Sequence, residues 1–273
     1  FRRRGHEVAL VSLTEPGAYV DELRSLGISV HSLDMRHRAS DILALTRLGR
    51  LVRSWRPDVL HAHMFHAVLL SRVVRLWTRV PVLVSTTHNF APESQVRATL
   101  YRVTDGLSTI TTNVSLAGTA KYVASGAVPR GRMVTFPNGI PVQDTASGAE
   151  ARRSKREELG LDGAFTWLAV GRLEAPKDYP TLLRGIDGLL RLGSESRFLV
   201  VGEGSESPRV MELHERLGGL QGRVTFLGSR RDVPELMSAS DGYVMSSCSE
   251  GLPLVLLEAS AAGLPIVATD VGG

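Results

Sequence analysis

Cysteine is nearly absent from this chain of 273 residues, which contains Cys248 alone. One thiol excludes a disulfide framework and fits a reducing compartment. We interpret Cys248 as a small apolar residue at a strand end, because no activating neighbour stands beside it in the sequence. Aromatic residues make up only 5% of the chain. The basic half therefore lacks a clear stacking platform, which argues against a nucleic-acid partner.

Long apolar runs are also missing, and none reaches the roughly 18 residues that a membrane-spanning helix needs. No secretory signal is visible. The chain opens on FRRRGHEVALVSL, without a start methionine, and ends on Gly272-Gly273 directly after a strand-like stretch. We therefore expect a fragment that is truncated at both ends. Its composition, 43% hydrophobic and 22% charged, is that of a globular protein, and its length suggests two domains.

Charge is unevenly distributed along the chain. Residues 1–140 contain 18 Lys+Arg and 9 Asp+Glu (net +9), whereas residues 141–273 contain 14 and 19 (net −5). This asymmetry predicts two domains with different partners, and the basic half is suited to anionic ones. A predicted helix at 41–57 has four arginines on its polar side. We favour an ordinary solvated face for it, with contact to an anionic membrane surface as a secondary hypothesis.

Apolar strand-like runs alternate with amphipathic stretches throughout the sequence. The helix at 41–57, for example, places Ile42, Leu48 and Val52 on one face. Such alternation is typical of βαβ units in a mostly parallel sheet. Turn formers and small residues at 137–151 interrupt it and predict a linker. The predicted fold class is therefore α/β, with two Rossmann-like, doubly wound domains (1–140 and 141–273) that face a cleft.

Glycines and cations follow several of the apolar runs in the second half. Gly171-Arg172 and Lys177 occur in GRLEAPKDYPTLL, Glu203 lies between glycines in VVGEG, and Arg231 follows VTFLG. Ligands of open α/β sheets bind beyond the carboxyl ends of the strands. Glycine lets backbone approach a ligand closely, and paired cations suit phosphate. Each feature alone is weak, but together they predict a phosphate-bearing ligand.

Two glutamates stand eight positions apart in SSCSEGLPLVLLEASAAGLPIVATDVGG. Glu250 and Gly251 are predicted to lie in a loop before a helix, with Pro253 in the first helical turn. Free backbone N–H groups at a helix start form an anion site. Helical side chains lean toward the N-terminus, so the carboxylate of Glu258 can reach that site. Because a carboxylate accepts two hydrogen bonds, Glu258 matches a ribose diol.

The stretches SEGLPLVLLEASAAGLPIVATDVGG, GRLEAPKDYPTLL, VVGEG and PNGI resemble those of the retaining glycosyltransferases of the GT-B fold, specifically the sugar-nucleotide-dependent family four. The resemblance covers nearly the whole chain and keeps the order of the family's motifs. It implies that Arg172 and Lys177 hold the donor diphosphate, and that Glu258 binds its ribose. Glu250 would contact the transferred sugar, and the loop at Arg230-Arg231 would lie under the base.

The resemblance also implies that Gly251 and Leu252 offer backbone amides to the sugar and phosphate. In the first half it makes His88, in STTHN, the histidine that approaches the sugar. The family's first strand and glycine-rich loop would precede Phe1, so the first domain would lack its first strand. The second domain would lack its end. Pro141 replaces the acidic residue that usually follows Asn-Gly-Ile.

The implied reaction moves a sugar from a nucleoside diphosphate-sugar, UDP-linked first and GDP-linked second, to an acceptor hydroxyl with retained configuration. The acceptor would be a glycan, a lipid-linked sugar or a small molecule, as in bacterial surface polysaccharide or glycolipid synthesis. The expected location is cytoplasmic, with a peripheral inner-membrane contact as the secondary hypothesis. A sugar-nucleotide epimerase and a noncatalytic sugar-nucleotide-binding module remain alternatives.

We expect no cofactor and no metal requirement. The chain contains no Asp-x-Asp to clamp a metal-bound diphosphate. Its histidine cluster His61, His63 and His66 has no nearby acidic or cysteine ligand at metal-binding spacing. We interpret these histidines as a strand end that lines the cleft.

Overall fold

The computed structural model describes residues 1–17, 19–35, 42–141, 149–161 and 163–273. These residues divide into two compact units, Phe1–Phe136 and Pro137–Gly273. The middle of the predicted linker, residues 142–148, lies outside the described residues. The boundary after residue 140 and the division into acceptor and donor domains therefore remain predictions. No helix within the described ranges is long and apolar enough to cross a bilayer.

The first unit alternates strands with helices, as the sequence pattern predicts. Its described strands are β1 Ala9–Ser12, β2 Ser29–Ser32, β3 Val59–His63, β4 Val82–Thr87, β5 Ile110–Asn113 and β6 Met133–Thr135. Its described helices are α1 Val20–Ser25, α2 Ile42–Trp55, α3 Met64–Val74, α4 Gln95–Thr104 and α5 Leu116–Ala124. Strands β3-β4-β5-β6 form one parallel sheet, and β1 and β2 form a separate parallel pair.

Helix α2 buries only part of its predicted apolar face. Leu48 and Val52 are each 4% exposed and pack with Leu70 and Leu83 in an apolar cluster of this unit. Ile42 is 72% exposed, so its predicted burial is wrong. Ala44 is buried in the first turn of the helix instead. The core-facing stripe is therefore rotated away from Ile42 at the start of α2.

A fully buried arginine joins the helices of the first unit to its sheet. The guanidinium of Arg72 donates to Asp105 Oδ1 at 3.2 Å, Ser108 Oγ at 2.7 Å and Thr111 Oγ1 at 3.0 Å. Asp105 is 1% exposed and also accepts from Arg132 Nε at 3.0 Å. Because a buried charge is costly unless it is paired and hydrogen-bonded, this network is expected to hold α3, β5 and the segment after α4 in one arrangement.

The second unit has five parallel strands in the order β11-β10-β7-β8-β9. The strands are β7 Thr166–Val170, β8 Arg197–Val201, β9 Val224–Gly228, β10 Gly242–Met245 and β11 Ile266–Ala268. The described helices are α6 Ala149–Glu158, α7 Tyr179–Arg191, α8 Ser207–Arg216, α9 Val233–Ala239 and α10 Leu254–Ala261. The predicted α/β class is confirmed, with a doubly wound arrangement in this unit.

Alternate residues of strand β8 contribute to two different apolar clusters. Phe198 and Val200 pack in a cluster with α7 and α8, whereas Leu199 and Val201 pack in a cluster with α9 and α10. Successive strand residues point to opposite faces of a sheet, so both faces are covered by helices. This burial explains why RFLVV is apolar at almost every position.

Helix α6 begins inside the predicted linker and is held by charge rather than by an apolar stripe. None of its residues is buried. Arg152 donates to the carbonyls of Ser238 and Ser240, at 2.5 and 2.7 Å, and Arg156 donates to the carbonyl of Ala239 at 2.9 Å. These carbonyls lie at the C-terminus of α9, where cations are favoured. Both arginines also pair with Asp241.

We predict that Asp105→Asn destabilises the first unit by about 3–5 kcal/mol, because it leaves the Arg72 charge buried without its carboxylate. Urea denaturation of the full chain, followed by circular dichroism, measures the loss. Asp21→Asn is the matched control, since Asp21 pairs with Arg24 only at the surface, at 3.9 Å. That control should leave the denaturation midpoint unchanged. Equal midpoints for the two variants would contradict the role of the Arg72 network.

Candidate functional site

The predicted donor residues lie near the carboxyl-terminal ends of the strands of the second sheet. Because all five strands are parallel, these ends lie on the same side of the sheet. Gly171 and Arg172 follow β7, Lys177 ends a short 3₁₀ turn behind them, Glu203 follows β8, Arg231 follows β9, and Glu250, Gly251 and Leu252 follow β10. Glu258 lies inside α10, and His88 belongs to the first unit.

An ion pair joins the loops that follow the neighbouring strands β7 and β10. Lys177 Nζ lies 2.5 Å from Glu250 Oε1, and the Ser247 hydroxyl donates to the same oxygen at 2.6 Å. The side chains of Lys177 and Glu250 are 24% and 11% exposed. An ammonium group has three N–H donors. Glu250 takes one of them, and the described residues supply no side-chain acceptor for the other two.

Hydrogen bonds to main-chain carbonyls hold the same two loops together. The Ser246 hydroxyl bonds to the carbonyls of Lys177 and Asp178, each at 3.0 Å. The Cys248 N–H donates to the carbonyl of Pro176 at 2.9 Å. Cys248 thus contributes its backbone to the contact between the loops; it lies three residues after β10 and is exposed, so it is not an apolar residue packed at the end of the strand.

The glycines of VVGEG are required by close backbone packing. Gly202 has φ +133°, and a Cβ at this position would lie 2.0 Å from the carbonyl oxygen of Gly171. A Cβ on Gly204 would lie 2.3 Å from the carbonyl oxygen of Leu173. Leu173 also exchanges hydrogen bonds with this loop, donating to the Glu203 carbonyl at 3.0 Å. The loop after β8 therefore lies directly against the loop that carries Arg172.

The cations on this side of the sheet differ in how much of their charge is neutralised. Arg172 is exposed and makes no ion pair within the described residues. Arg231 is likewise exposed and unpaired there. Arg230, in contrast, donates to both carboxylate oxygens of Asp232, at 2.8 and 2.6 Å. Of the predicted pair at 230–231, Arg230 is thus paired with a carboxylate, whereas Arg231 has no charge partner among the described residues.

The start of α10 presents unpaired main-chain donors. The backbone N–H groups of Gly251 and Leu252 donate no hydrogen bond within the described part of the chain. Pro253 is the residue just before the helix rather than part of its first turn, which corrects the prediction by one position. Glu258, one turn inside the helix, is exposed, and its carboxylate has no hydrogen-bond partner among the described residues. These groups are free to meet an anion and a diol.

His88 lies in a cluster of three histidines in the first unit. His63 Nδ1 lies 2.9 Å from His88 Nε2, and the rings of His61 and His63 stack with centroids 4.0 Å apart. His61 Nε2 is hydrogen-bonded to Thr86 Oγ1 at 2.7 Å. Strands β3 and β4 pair in register, His63 opposite Thr86, which brings the three rings together. His66 lies outside this cluster, edge-on to Phe65.

Burial keeps this histidine cluster neutral. The pKa of His61 is lowered to about 4, mainly by burial and then by repulsion from His63 and His88 when these rings are protonated. Burial also lowers the pKa of His63, and the pKa of His88 falls through burial and then through the charge of His63. Each ring therefore carries one N–H at neutral pH. Among the described residues, no three His, Cys, Asp or Glu side chains are grouped so as to hold a metal ion.

Sequence reasoning missed the side chains that support the predicted ones. Ser247 and Asn113, both fully buried, were not predicted. Ser247 stands three residues before Glu250 in SSCSEG, and this short spacing was the only available signal. Asn113 ends β5 and contacts the His88 loop across 24 to 26 residues of sequence, a separation that local pattern does not reveal.

Two glycosyltransferase families match the chain. The family described as "Glycosyl transferase 4-like domain" matches residues 1–139, and that described as "Glycosyl transferases group 1" matches residues 164–273. The chain belongs to the GT-B glycosyltransferases of the family-four type. The resemblance carried by its motifs is thereby confirmed.

Curated relatives include the Escherichia coli UDP-Gal:alpha-D-GlcNAc-diphosphoundecaprenol alpha-1,3-galactosyltransferase. It is 28% identical over 243 residues, which are 85% of this chain and 63% of that protein. A D-inositol 3-phosphate glycosyltransferase of Mycobacterium sp. (strain JLS) is 32% identical over 237 residues, 79% of this chain and 52% of the relative. The chain thus spans between half and two thirds of the length of these two proteins.

Solved structures share the fold. Anabaena HepE in complex with UDP and glucose superimposes with a TM-score of 0.83 at 23% identity, over 97% of this chain and 73% of that one. A glycosyltransferase from Rickettsia africae gives a TM-score of 0.82 at 19% identity, over 100% of this chain and 73% of that one. Both likenesses establish the GT-B fold.

We predict that Gly202→Ala destabilises the second unit by at least about 1–3 kcal/mol, because alanine strongly disfavours this backbone conformation and its methyl group meets Gly171. Gly188→Ala is the control. Gly188 lies inside α7 with open space around its Cβ position. That substitution should raise stability by up to about 1 kcal/mol. Urea denaturation of both variants gives the comparison, and a stable Gly202→Ala variant would show that the two loops do not pack as described.

Proposed function

We propose that the protein transfers a sugar from a nucleoside diphosphate-sugar, with UDP as the first choice of nucleotide, to an acceptor hydroxyl with retention of configuration. The observation that carries the proposal is the Lys177–Glu250 ion pair, which sets a cation and a carboxylate together at the carboxyl ends of β7 and β10. Family membership and the UDP bound to the structurally similar Anabaena HepE support the same donor class.

The diphosphate is the leaving group, and its charge grows as the bond between the sugar and phosphate breaks. Arg172 and Lys177 supply positive charge, and the amides of Gly251 and Leu252 supply hydrogen-bond donors. Groups that meet developing charge stabilise the transition state more than the ground state. Since Lys177 is held by Glu250 before substrate arrives, little reorganisation of this cation is needed during the reaction.

The remaining predicted residues would position the donor. The exposed carboxylate of Glu258 accepts hydrogen bonds from the two ribose hydroxyls. Glu250, fixed by Ser247 and Lys177, accepts from hydroxyls of the transferred sugar. Arg231 lies on the loop proposed to contact the base. Gly171 and Glu203, on the loops after β7 and β8, are proposed to contact the donor as well. His88 contributes an imidazole that orients the sugar.

Bond making and breaking would take place on one face of the sugar. The acceptor oxygen forms a bond to the anomeric carbon as the bond from that carbon to the diphosphate oxygen breaks. The acceptor oxygen attacks directly, so no protein nucleophile is required, and its proton passes to the departing diphosphate, so no protein base is required. This route is consistent with the cations and amides that the described residues supply.

A lipid-linked acceptor is our first choice of acceptor. The E. coli relative is named for a diphosphoundecaprenol-linked substrate, and the first unit, residues 1–136, has the same net charge of +9 as residues 1–140 because residues 137–140 are uncharged. A basic surface attracts the diphosphate of such an acceptor and the anionic lipid around it. The corresponding biological role would be in surface polysaccharide or glycolipid synthesis.

Release of UDP from UDP-sugars tests the activity. The full chain is incubated with each donor alone and with lipid-linked, oligosaccharide and small-molecule acceptors, and the product anomer is assigned by NMR. Acceptor-dependent UDP release with an α-linked product from an α-linked donor is expected. Isomerised donor without acceptor would indicate an epimerase, and binding without turnover would indicate a noncatalytic module. Either result would overturn the proposal.

We predict that Lys177→Ala lowers kcat by about 100- to 1,000-fold, as loss of one charge-stabilising contact does in comparable sites. Initial rates of UDP release at saturating donor and acceptor provide the measurement. Arg184→Ala is the control, since Arg184 is an exposed cation on α7 of the same unit. Both variants should keep the wild-type circular dichroism spectrum. Near-normal turnover of the Lys177→Ala variant would refute the assigned role.

A further inference from the structure

The imidazole of His88 is held by a second imidazole, that of His63. The facing nitrogens, His63 Nδ1 and His88 Nε2, are 2.9 Å apart, with ring planes at 35°. His63 ends β3, and His88 directly follows β4. Since these two strands pair in parallel with His63 opposite Thr86, the contact is set by strand register rather than by flexible loops.

The residues on both sides of His88 are also held, Thr87 at its side chain and Asn89 at its carbonyl. The side-chain amide of Asn113 donates to Thr87 Oγ1 at 2.8 Å and to the carbonyl of Asn89 at 3.1 Å. Asn113 is fully buried, and its Oδ1 accepts from the Ser115 N–H at 3.0 Å, which fixes the orientation of the amide. His88 is thus restrained through its two neighbouring residues by Asn113 and at its ring by His63.

A hydrogen bond between two neutral imidazoles couples their tautomers. One ring must carry its proton at the facing nitrogen, and the other must leave that nitrogen free to accept. Burial lowers the pKa of both rings, and a neutral pair is therefore the relevant state. With Nε2 engaged, Nδ1 is the nitrogen of His88 that has no partner among the described residues.

We propose that His63 is a positioning residue that holds His88 in one tautomer and one orientation, leaving His88 Nδ1 for a substrate hydroxyl. The tautomer and orientation of His88 are set by contacts within the first unit alone. The role of its Nδ1 toward a substrate hydroxyl rests on the proposed function, in which His88 orients the transferred sugar.

Nitrogen-15 NMR of the histidine-labelled full chain tests the tautomer directly. In the wild type at neutral pH, His88 should show one tautomer. In His63→Leu it should show exchange between two, as the acceptor or donor opposite Nε2 is lost. His63→Asn should restore a single tautomer, because the asparagine side chain places a polar atom near the position of Nδ1. His66→Ala is the control and should resemble the wild type. An unchanged His88 spectrum in His63→Leu overturns the positioning role.

Kinetics separate this inference from the proposed function. His63→Leu should lower kcat by about 10- to 100-fold, the scale expected for a misplaced reacting group, with KM for the acceptor unchanged and with rescue by His63→Asn. Wild-type kcat in His63→Leu, despite a mobile His88, overturns the substrate part of the inference. Wild-type kcat in His88→Ala refutes the role of His88 in the proposed function, whereas the NMR result for His63 would stand.

Discussion

The ion pair between Lys177 and Glu250 is the interaction on which the second unit's site depends. It connects the loops that follow β7 and β10, two strands that are neighbours in the sheet but lie more than 70 residues apart in the chain. The Ser247 hydroxyl donates to the Glu250 carboxylate, and the Ser246 hydroxyl donates to the carbonyls of Lys177 and Asp178. In the absence of a ligand, the two charges neutralise each other, so the lysine is held in place without an uncompensated buried charge. A diphosphate would then meet a cation that is already oriented.

Polar networks hold the first unit in a comparable way. Arg72 and Asp105 form a fully buried pair that ties α3 to β5, and Asn113 reaches from the end of β5 to the loop that carries His88. The loop that carries His88 is thus connected through hydrogen bonds to the strand that also receives Arg72. These contacts favour one geometry for the His88 loop, which an apolar core alone would leave less restricted.

The alternation of apolar and amphipathic stretches predicted the fold class because strand β8 at the interior of the second sheet is buried on both faces and its helices are amphipathic. It did not predict α6, since that helix is held by Arg152 and Arg156 at the end of α9 and has no apolar periodicity. Residues after strands were predictable as a group, because a parallel sheet brings such positions to one edge. Their partners were not: Ser247, Asn113 and the His63–His88 contact depend on register between strands, and Arg230 is distinguished from Arg231 only by its pairing with Asp232. The roles of the individual site residues remain predictions.

Calorimetric titration with UDP, UMP and uridine tests the central claim, that cations and amides at the carboxyl ends of β7 and β10 bind a diphosphate. Hydrogen bonds to charged groups contribute about 1.5–3 kcal/mol each. UDP is therefore expected to bind at least about 100-fold more tightly than uridine, with UMP between them and with the advantage of UDP falling as salt is added. Equal affinity for UDP and uridine would contradict the claim, because it would leave the diphosphate without a binding site.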